Sequence, residues 1–459
     1  MKIFKRIFLT LLGSALAFGL WYAYQALPII TGYGAKNVCS CVMVAGRDPQ
    51  NVIDNEVGKF PLSLGSYSVD YTDSSATGTV IGLGKQKAIY RKGLGCTLVA
   101  EVTEEELRAQ KISLPSHPAI NQDTIPWPSG DLMKDSLPTG IDYETLNEVV
   151  YDAFNEEGEK KLRRTRAIVI VYDGKIIAEA YAEGFSAKSK QIGWSMTKSI
   201  TNAMVGILSK EGKLDVTKHA PIASWAADNR NTITLNDLMH QSSGLKWDEN
   251  YSKPSGATNM LFKKKDMGLY AAESPLEGTP GEKFYYSSGT SNIISRIVRN
   301  TVGDDDYYKL PYEKLFYKIG MYSAVIEPDA GGTFVGSSYS FATARDWARF
   351  GLLYLNDGVW NGERILPEGW VKYTTTPAPG APIGEYGAQF WLNAGAKGNP
   401  ANRRYPDAPI DLFTADGFEG QNVWIVPSKK LVIARLSLQQ GNYLDENRFL
   451  AEVISTLPE

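Results

Sequence analysis

Gly193-Trp194-Ser195-Met196-Thr197-Lys198-Ser199-Ile200 is the stretch around which the rest of this sequence arranges itself. It sets a hydroxyl and an amine three residues apart, at the start of an apolar series Met196, Ile200, Met204, Ile207 and Leu208 with helical period. Residues three apart share a helical face, so the Lys198 amine is predicted to reach back to the Ser195 hydroxyl. Gly212, with Lys210 and Lys213 around it, marks the predicted end of the helix. A serine becomes a useful nucleophile when a base takes its proton, and a desolvated lysine can be that base. The plainer assignment makes Lys198 a solvated surface lysine, the usual fate of a helical lysine. The same spacing recurs at Ser243-Gly244-Leu245-Lys246, but Gly244 and the preceding Ser242 read as a turn.

The histidines narrow the chemistry. They are His117, His219 and His240 alone. A Ser-His-Asp hydrolase of α/β type requires a histidine late in the chain, and none follows His240. Gly193-Trp-Ser-Met-Thr197 also misses the nucleophile-elbow pattern at its last position. His240, within Leu238-Met-His-Gln-Ser-Ser-Gly244, reads as a structural residue at a helix end. Zinc chemistry of the H-E-x-x-H kind lacks ligands, so neither a metal nor another cofactor is expected. Lysine remains as base, and a tyrosine is the natural group to carry the proton on to the leaving group. Among 25 tyrosines, Tyr286 is singled out by its setting, Pro280-Gly-Glu-Lys-Phe-Tyr-Tyr-Ser-Ser-Gly289, followed by the apolar Ile293-Ile-Ser-Arg-Ile-Val298. The alternative for Tyr286 is a half-buried loop tyrosine.

These segments together resemble the serine β-lactamase and penicillin-binding-protein superfamily, on its class C, esterase and 6-aminohexanoate-dimer hydrolase side. Ser195-Met-Thr-Lys198 is similar to the first motif of that family, and Tyr286-Ser-Ser288 to the second, Tyr-x-Asn, in a Tyr-x-Ser form. Ile233 to Leu245 and Tyr339 to Gly351 resemble further shared stretches, and the likeness runs over about 150–459. The resemblance implies an acyl-enzyme on Ser195, Lys198 as base, Tyr286 as proton carrier, and an oxyanion hole from the backbone N–H groups of Ser195 and Gln421. The third motif departs from the pattern: where the family has Lys-Thr-Gly or His-x-Gly, this chain is read as Phe418-Glu419-Gly420. Backbone donors survive such a change, but a side chain that holds a substrate carboxylate does not. With Asp416 and Glu419 nearby, the expected substrate is a small amide or ester that is neutral or carries an amine. Trp247 and Tyr251 are weaker candidates for lining its pocket, beside Glu419.

The N-terminus adds a location. Lys2, Lys5 and Arg6 precede an apolar run from Ile7 to about Ala26 without a charge, long enough to cross a bilayer. The positive-inside rule then leaves the rest of the chain outside, as an inner-membrane protein of a bacterial envelope with its catalytic part in the periplasm or beyond the cell. A cleaved signal peptide, with Ala15-Leu-Ala17 as its site, is the competing reading. Cys39, Cys41 and Cys96 allow a disulfide from Cys96 to either of the other two. A net charge of -3 with both signs interspersed gives no case for nucleic acid.

The expected organisation is therefore an anchor or signal segment over 1–26, a β-rich accessory unit and proline-rich connector over 27–140, and a hydrolase domain over 141–459. In that domain, Ala167-Ile-Val-Ile-Val-Tyr172 and Lys175-Ile-Ile-Ala-Glu-Ala-Tyr181 flank Asp173-Gly174, a hairpin signal, and strands return at 422–426 and 431–436. Strands at both ends of a largely helical middle predict an α+β fold, a central antiparallel sheet with an inserted helical region, of the β-lactamase/DD-peptidase type the resemblance implies. The function expected is an exported serine hydrolase. A D,D-peptidase, a β-lactamase and a non-catalytic envelope sensor of the same fold are the rivals.

Overall fold

The computed structural model describes residues 2–458 apart from 134–136, 157, 159–161, 440 and 442. The chain divides into two compact units. The smaller takes residues up to Gln110 with Trp247–Met267 and Pro328–Gly332, and the larger takes the rest. The proline-rich stretch 113–140, expected as a connector, thus belongs to the larger unit. Two short segments of the expected hydrolase domain belong to the smaller one.

The smaller unit is built on one helix, α1 (Lys2–Met43), which does not stop at Ala26 as the end of the apolar run suggested. Its side chains are exposed from Ile3 to Tyr22 and mostly buried from Thr31 onward. It is long and apolar enough to cross a membrane. Against its second half packs an antiparallel sheet of four strands in sequential order, β1 (Ser66–Asp70), β2 (Ser75–Val80), β3 (Leu83–Arg91) and β4 (Gly95–Leu98). The Tyr67 ring lies where a Cβ on Gly34 would stand, so only glycine admits strand and helix this close. Of the two pairings open to Cys96, the structure has Cys39–Cys96, which ties β4 to α1, and Cys41 is buried in the same helix. Trp247 and Tyr251 fall in this unit and both donate to Glu249, at 2.5 and 2.8 Å.

The larger unit has the expected α+β plan. After α2 (Tyr143–Asp152), β5 (Thr165–Tyr172) and β6 (Lys175–Tyr181) form the hairpin signalled by Asp173-Gly174. Both turn residues have positive φ, 46° and 76°, as a type I′ turn requires. Short strands β7 (Gln191–Ile192), β8 (Val325–Ile326) and β9 (Ser340–Ala342) make a separate sheet, β7-β9-β8. Between β7 and β9 lie α3 (Thr197–Lys210) and α4 (Ser288–Val302). α5 (Ala344–Leu355) and a small hairpin, β10 (Val359–Trp360) with β11 (Glu363–Arg364), follow. The chain ends with β12 (Trp391–Leu392), β13 (Phe413–Gly417), β14 (Gln421–Val426), β15 (Leu431–Ser437) and α6 (Glu446–Ser455).

The main sheet runs β12-β13-β14-β15-β5-β6, so the late strand β15 pairs with the early β5 and closes the domain on itself. α2 and α6 bury one face of it through Leu146, Val150, Leu450 and Val453 against Ile168, Ile170, Trp424 and Ile433. α5 covers the other. There a Cβ on Gly351 would strike Val432 and Val423, so the glycine sets how closely helix and sheet approach.

Candidate active site

Ser195 sits at the junction of the small sheet and α3. β7 pairs with β9, and Gly193 N–H donates to the Ser340 carbonyl at 2.7 Å, which fixes where the chain leaves the strand. Trp194 then takes a left-handed conformation, φ 46°, a strained position for a large side chain. One 3-10 turn, Trp194–Met196, carries Ser195 and leads directly into α3. Thr197 braces that turn: its hydroxyl donates to the Trp194 carbonyl at 2.7 Å and lies 2.6 Å from Ser340 Oγ. Every residue from Gln191 to Leu208 is buried except Ser195, which is partly exposed.

The apolar series Met196 to Leu208 is buried as predicted, but so are Thr197, Lys198, Thr201 and Asn202. The plainer assignment of Lys198 as a surface lysine therefore fails; it is 1% exposed. Its Nζ lies 3.0 Å from Ser195 Oγ, 3.1 Å from Ser288 Oγ and 3.1 Å from the Ser337 carbonyl oxygen, and 4.6 Å from the centre of the Tyr286 ring. A neutral amine has two N–H groups and one lone pair. The Ser337 carbonyl can only accept, so donation to it and to Ser288 leaves the lone pair for the Ser195 proton.

Tyr286 is held from both sides by one residue. The Gln241 carbonyl accepts from Tyr285 N–H at 2.8 Å, and its side-chain oxygen accepts from Ser287 N–H at 2.9 Å. Ser287 caps α4 by accepting from Thr290 N–H, and Ser288 opens the helix. The Tyr286 ring stacks on Trp391 from β12, with centroids 5.2 Å apart, and meets Tyr386 edge-on at 5.7 Å. Sequence reasoning quoted Gln241 and Ser288 within motifs without giving either a role. The Ser337 carbonyl has no side-chain signature to find.

The structure revises the third segment. Phe418, Glu419 and Gly420 form the turn between β13 and β14, and Gln421 opens β14 opposite Gly417 in the register. The strand end that meets the nucleophile's turn is Gly417: a Cβ there would run into the Gly193 carbonyl. Ala415-Asp416-Gly417 is thus the triplet beside Ser195, and it too lacks a lysine or histidine. The Phe418 ring meets Trp194 edge-on at 5.9 Å. Gln421 turns its side chain to the Ser437 carbonyl at 2.6 Å, and Glu419 is buried with its carbonyl accepting from Gln439 N–H at 3.0 Å.

Asp416 does not stand as an open negative charge, contrary to the sequence reading. Arg404 donates to it at 2.5 Å and lies 3.6 Å from Glu446, with its guanidinium over the Trp391 ring at 5.4 Å. Burial works against the Arg404 charge, but Asp416, Tyr405 and Glu446 outweigh it and push its pKa up. The two remaining candidates from the sequence have structural roles. His240 caps its helix and lies edge-on to Tyr373 at 5.1 Å. Lys246, in the second Ser-x-x-Lys, pairs at the surface with Glu277 at 2.6 Å, outside any helix.

With this geometry in hand, the chain can be set beside known proteins. The family model described as Beta-lactamase matches residues 152–454. The 6-aminohexanoate-dimer hydrolase of Paenarthrobacter ureafaciens is 26% identical over 332 residues, covering 63% of this chain and 79% of that protein. A solved structure from Bacillus anthracis, ascribed to the 6-aminohexanoate-dimer hydrolases, superposes with a TM-score of 0.56 at 24% identity, over 72% of this chain and 89% of that one. A family VIII carboxylesterase structure gives 0.51 at 15% identity, over 68% and 96%. The structural likenesses speak to the fold.

Proposed function

The chain belongs to the beta-lactamase family and is a serine hydrolase related to 6-aminohexanoate-dimer hydrolase, and from that premise we propose that it cleaves small amides or esters through an acyl-enzyme on Ser195. The observation that carries the reading is the buried Lys198 amine 3.0 Å from the Ser195 hydroxyl. Burial disfavours an ammonium and favours the neutral base. Lys198 takes the Ser195 proton as Oγ bonds to the substrate carbonyl carbon. Collapse of the tetrahedral intermediate breaks the bond to the leaving nitrogen or oxygen, which receives a proton by way of Tyr286. Water then attacks the acyl carbon, gives up its proton to the same pair of side chains, and restores Ser195.

The developing oxyanion needs two donors. Ser195 N–H is one. The approach of Gly417 to Gly193 favours the N–H of Phe418 for the other, ahead of Gln421, which stands one strand further in. Neither Ala415 nor Glu419 replaces the cationic side chain of the family's third motif, and Arg404 is already held by Asp416. That combination supports neutral or amine-bearing substrates over carboxylates, and so an amidase or esterase over a D,D-peptidase or β-lactamase. Trp391, stacked on Tyr286, is the better placed aromatic wall, whereas Trp247 and Tyr251 both bond Glu249.

We also propose that α1 anchors the protein in the cell envelope. Its exposed, uncharged run supports this, and the basic residues ahead of it support a hydrolase outside the cytoplasm. Incubation of the full chain with a fluorophosphonate probe, then with a panel of esters, short amides and a β-lactam, tests the catalytic reading. Ser195→Ala should abolish labelling and Ser243→Ala should leave it intact. Equal loss from both would remove Ser195 as nucleophile. Recovery of a soluble chain beginning near Phe18 would replace the anchor with a cleaved signal.

A further inference from the structure

We propose that the end of the small unit nearest the exposed half of α1, formed by the β2–β3 turn and the Phe60–Leu64 loop, lies in the headgroup layer of the bilayer that α1 crosses. The proposal rests on the anchor reading of α1. It adds a second, peripheral attachment that the helix alone does not require.

The direction of β3 along α1 places the turn. At one end, Gly84 O accepts from Thr31 Oγ1 at 2.5 Å, and a Cβ on Gly84 would strike Leu27. At the other, Tyr90 stands opposite Cys96, which is bonded to Cys39. β3 therefore travels with α1, and the turn before it points back towards the apolar N-terminal half. At about 3.3 Å per strand residue, Gly82 lies about 7 Å beyond Gly84. At 1.5 Å per helix residue that is roughly four or five residues of α1, which brings the tip level with about Ala23 to Ala26.

What this tip carries is apolar. Ile81 is 92% exposed and Leu83 63%, a poor choice for a turn that faces water. A second loop stands a turn or two further along the same helix, beside Ile30. Tyr67, whose ring lies over Gly34, donates from its hydroxyl to the Leu62 carbonyl at 2.7 Å and comes within 3.5 Å of the Ile30 carbonyl. Phe60, at 80% exposed, and Leu64, at 50%, flank that point. Between the two loops and the apolar run, α1 shows Trp21, Tyr22 and Tyr24 to solvent, the aromatic residues favoured at a membrane interface. Lys263 bonds Gln25 at 3.1 Å, so a cation stands at the same level, where lipid phosphates would lie. Apolar tips, an aromatic girdle and a lysine, all beside the stretch of one helix from Trp21 to about Ile30, fit a lipid surface. The opposite end of the sheet supplies a control. Tyr71, in the β1–β2 turn, is 64% exposed, and this turn lies beside Tyr90, since Ser74 O accepts from Tyr90 N–H.

The test uses the full chain in vesicles of phosphatidylcholine and phosphatidylglycerol, labelled with an environment-sensitive fluorophore through Ile81→Cys, Phe60→Cys, Tyr71→Cys or Leu12→Cys. Cys41 is buried, and the parent chain gives the background of labelling. A lipid carrying a spin label just below the headgroup should quench the labels at 81 and 60 by about twofold and shift their emission to the blue. The label at 71 should not respond. Labels at 81 and 60 that behave like the one at 71, while the label at 12 is quenched, would overturn the docking and leave the anchor standing. A label at 12 that is also unquenched would overturn both.

Discussion

Ser288 Oγ lies 3.1 Å from Lys198 Nζ, although ninety positions separate the two residues in the chain. The hydroxyl stands at the third position of the Tyr286-Ser-Ser288 motif, on the first turn of α4. On the proposed mechanism it orients the amine so that the lone pair faces Ser195. Ser288→Ala should therefore lower kcat with little change in KM. One lost hydrogen bond to a buried amine is worth about 1–2 kcal/mol, or roughly tenfold in rate. Ser288→Asn, which restores a polar partner, should recover part of the loss. A change confined to KM would place Ser288 on the substrate instead.

Tyr286 offers a cleaner separation of packing from chemistry. Its ring is held by Trp391 and Tyr386, contacts that Tyr286→Phe keeps. The variant should melt within a few degrees of the parent and turn over amides about 10²–10³ times more slowly. Esters with good leaving groups need less help from a proton donor and should lose less. Equal loss on amides and activated esters would show that the hydroxyl acts before leaving-group departure.

His240 makes a prediction about stability. It is buried, and burial holds its pKa below the usual histidine value of 6.5. Below that value the unfolded chain binds a proton that the folded ring resists, so the unfolded state holds more protons and stability rises with pH. The contribution is lost as pH falls from about 6.5 towards the folded pKa. Thermal unfolding across that range should show His240→Asn with a flatter dependence than the parent. Identical slopes would mean that the ring is not the group titrating.

Much of this was legible in the sequence, for physical reasons that can be named. Asp173-Gly174 forces positive φ at two successive positions, and such a turn leaves little choice but a hairpin. Ser195 and Lys198 are local, three residues apart, so one helical turn brings the hydroxyl and the amine together. The errors came from burial and from non-local placement. Helical periodicity leaves Lys198 off the apolar stripe of α3, where a surface lysine is the plainer assignment, whereas the strand β9 and the loop carrying Ser337 close over that side. The continuation of α1 to Met43 was hidden because periodicity cannot say that a sheet will cover a helix beyond its membrane-like run. Asp416 and Glu419 suggest a local negative field, but Arg404, twelve residues before Asp416, pairs with Asp416 and offsets its charge. The strand end that approaches Gly193 is Gly417, three residues before the Gly420 that the motif resemblance picks out, and spacing alone does not show which of the two glycines faces that turn.

The central claim is that Lys198 removes the Ser195 proton, and the acylation rate of Lys198→Arg measures it most directly. Arginine keeps a cation of similar reach but stays protonated at ordinary pH. A lysine must be unprotonated to act as base, so acylation by the parent should rise with pH. Lys198→Arg should fold, bind a slow substrate and acylate about 10³-fold more slowly, with that rise absent. Near-native acylation by Lys198→Arg, with the same pH profile, would contradict the account and leave the lysine as electrostatic support only.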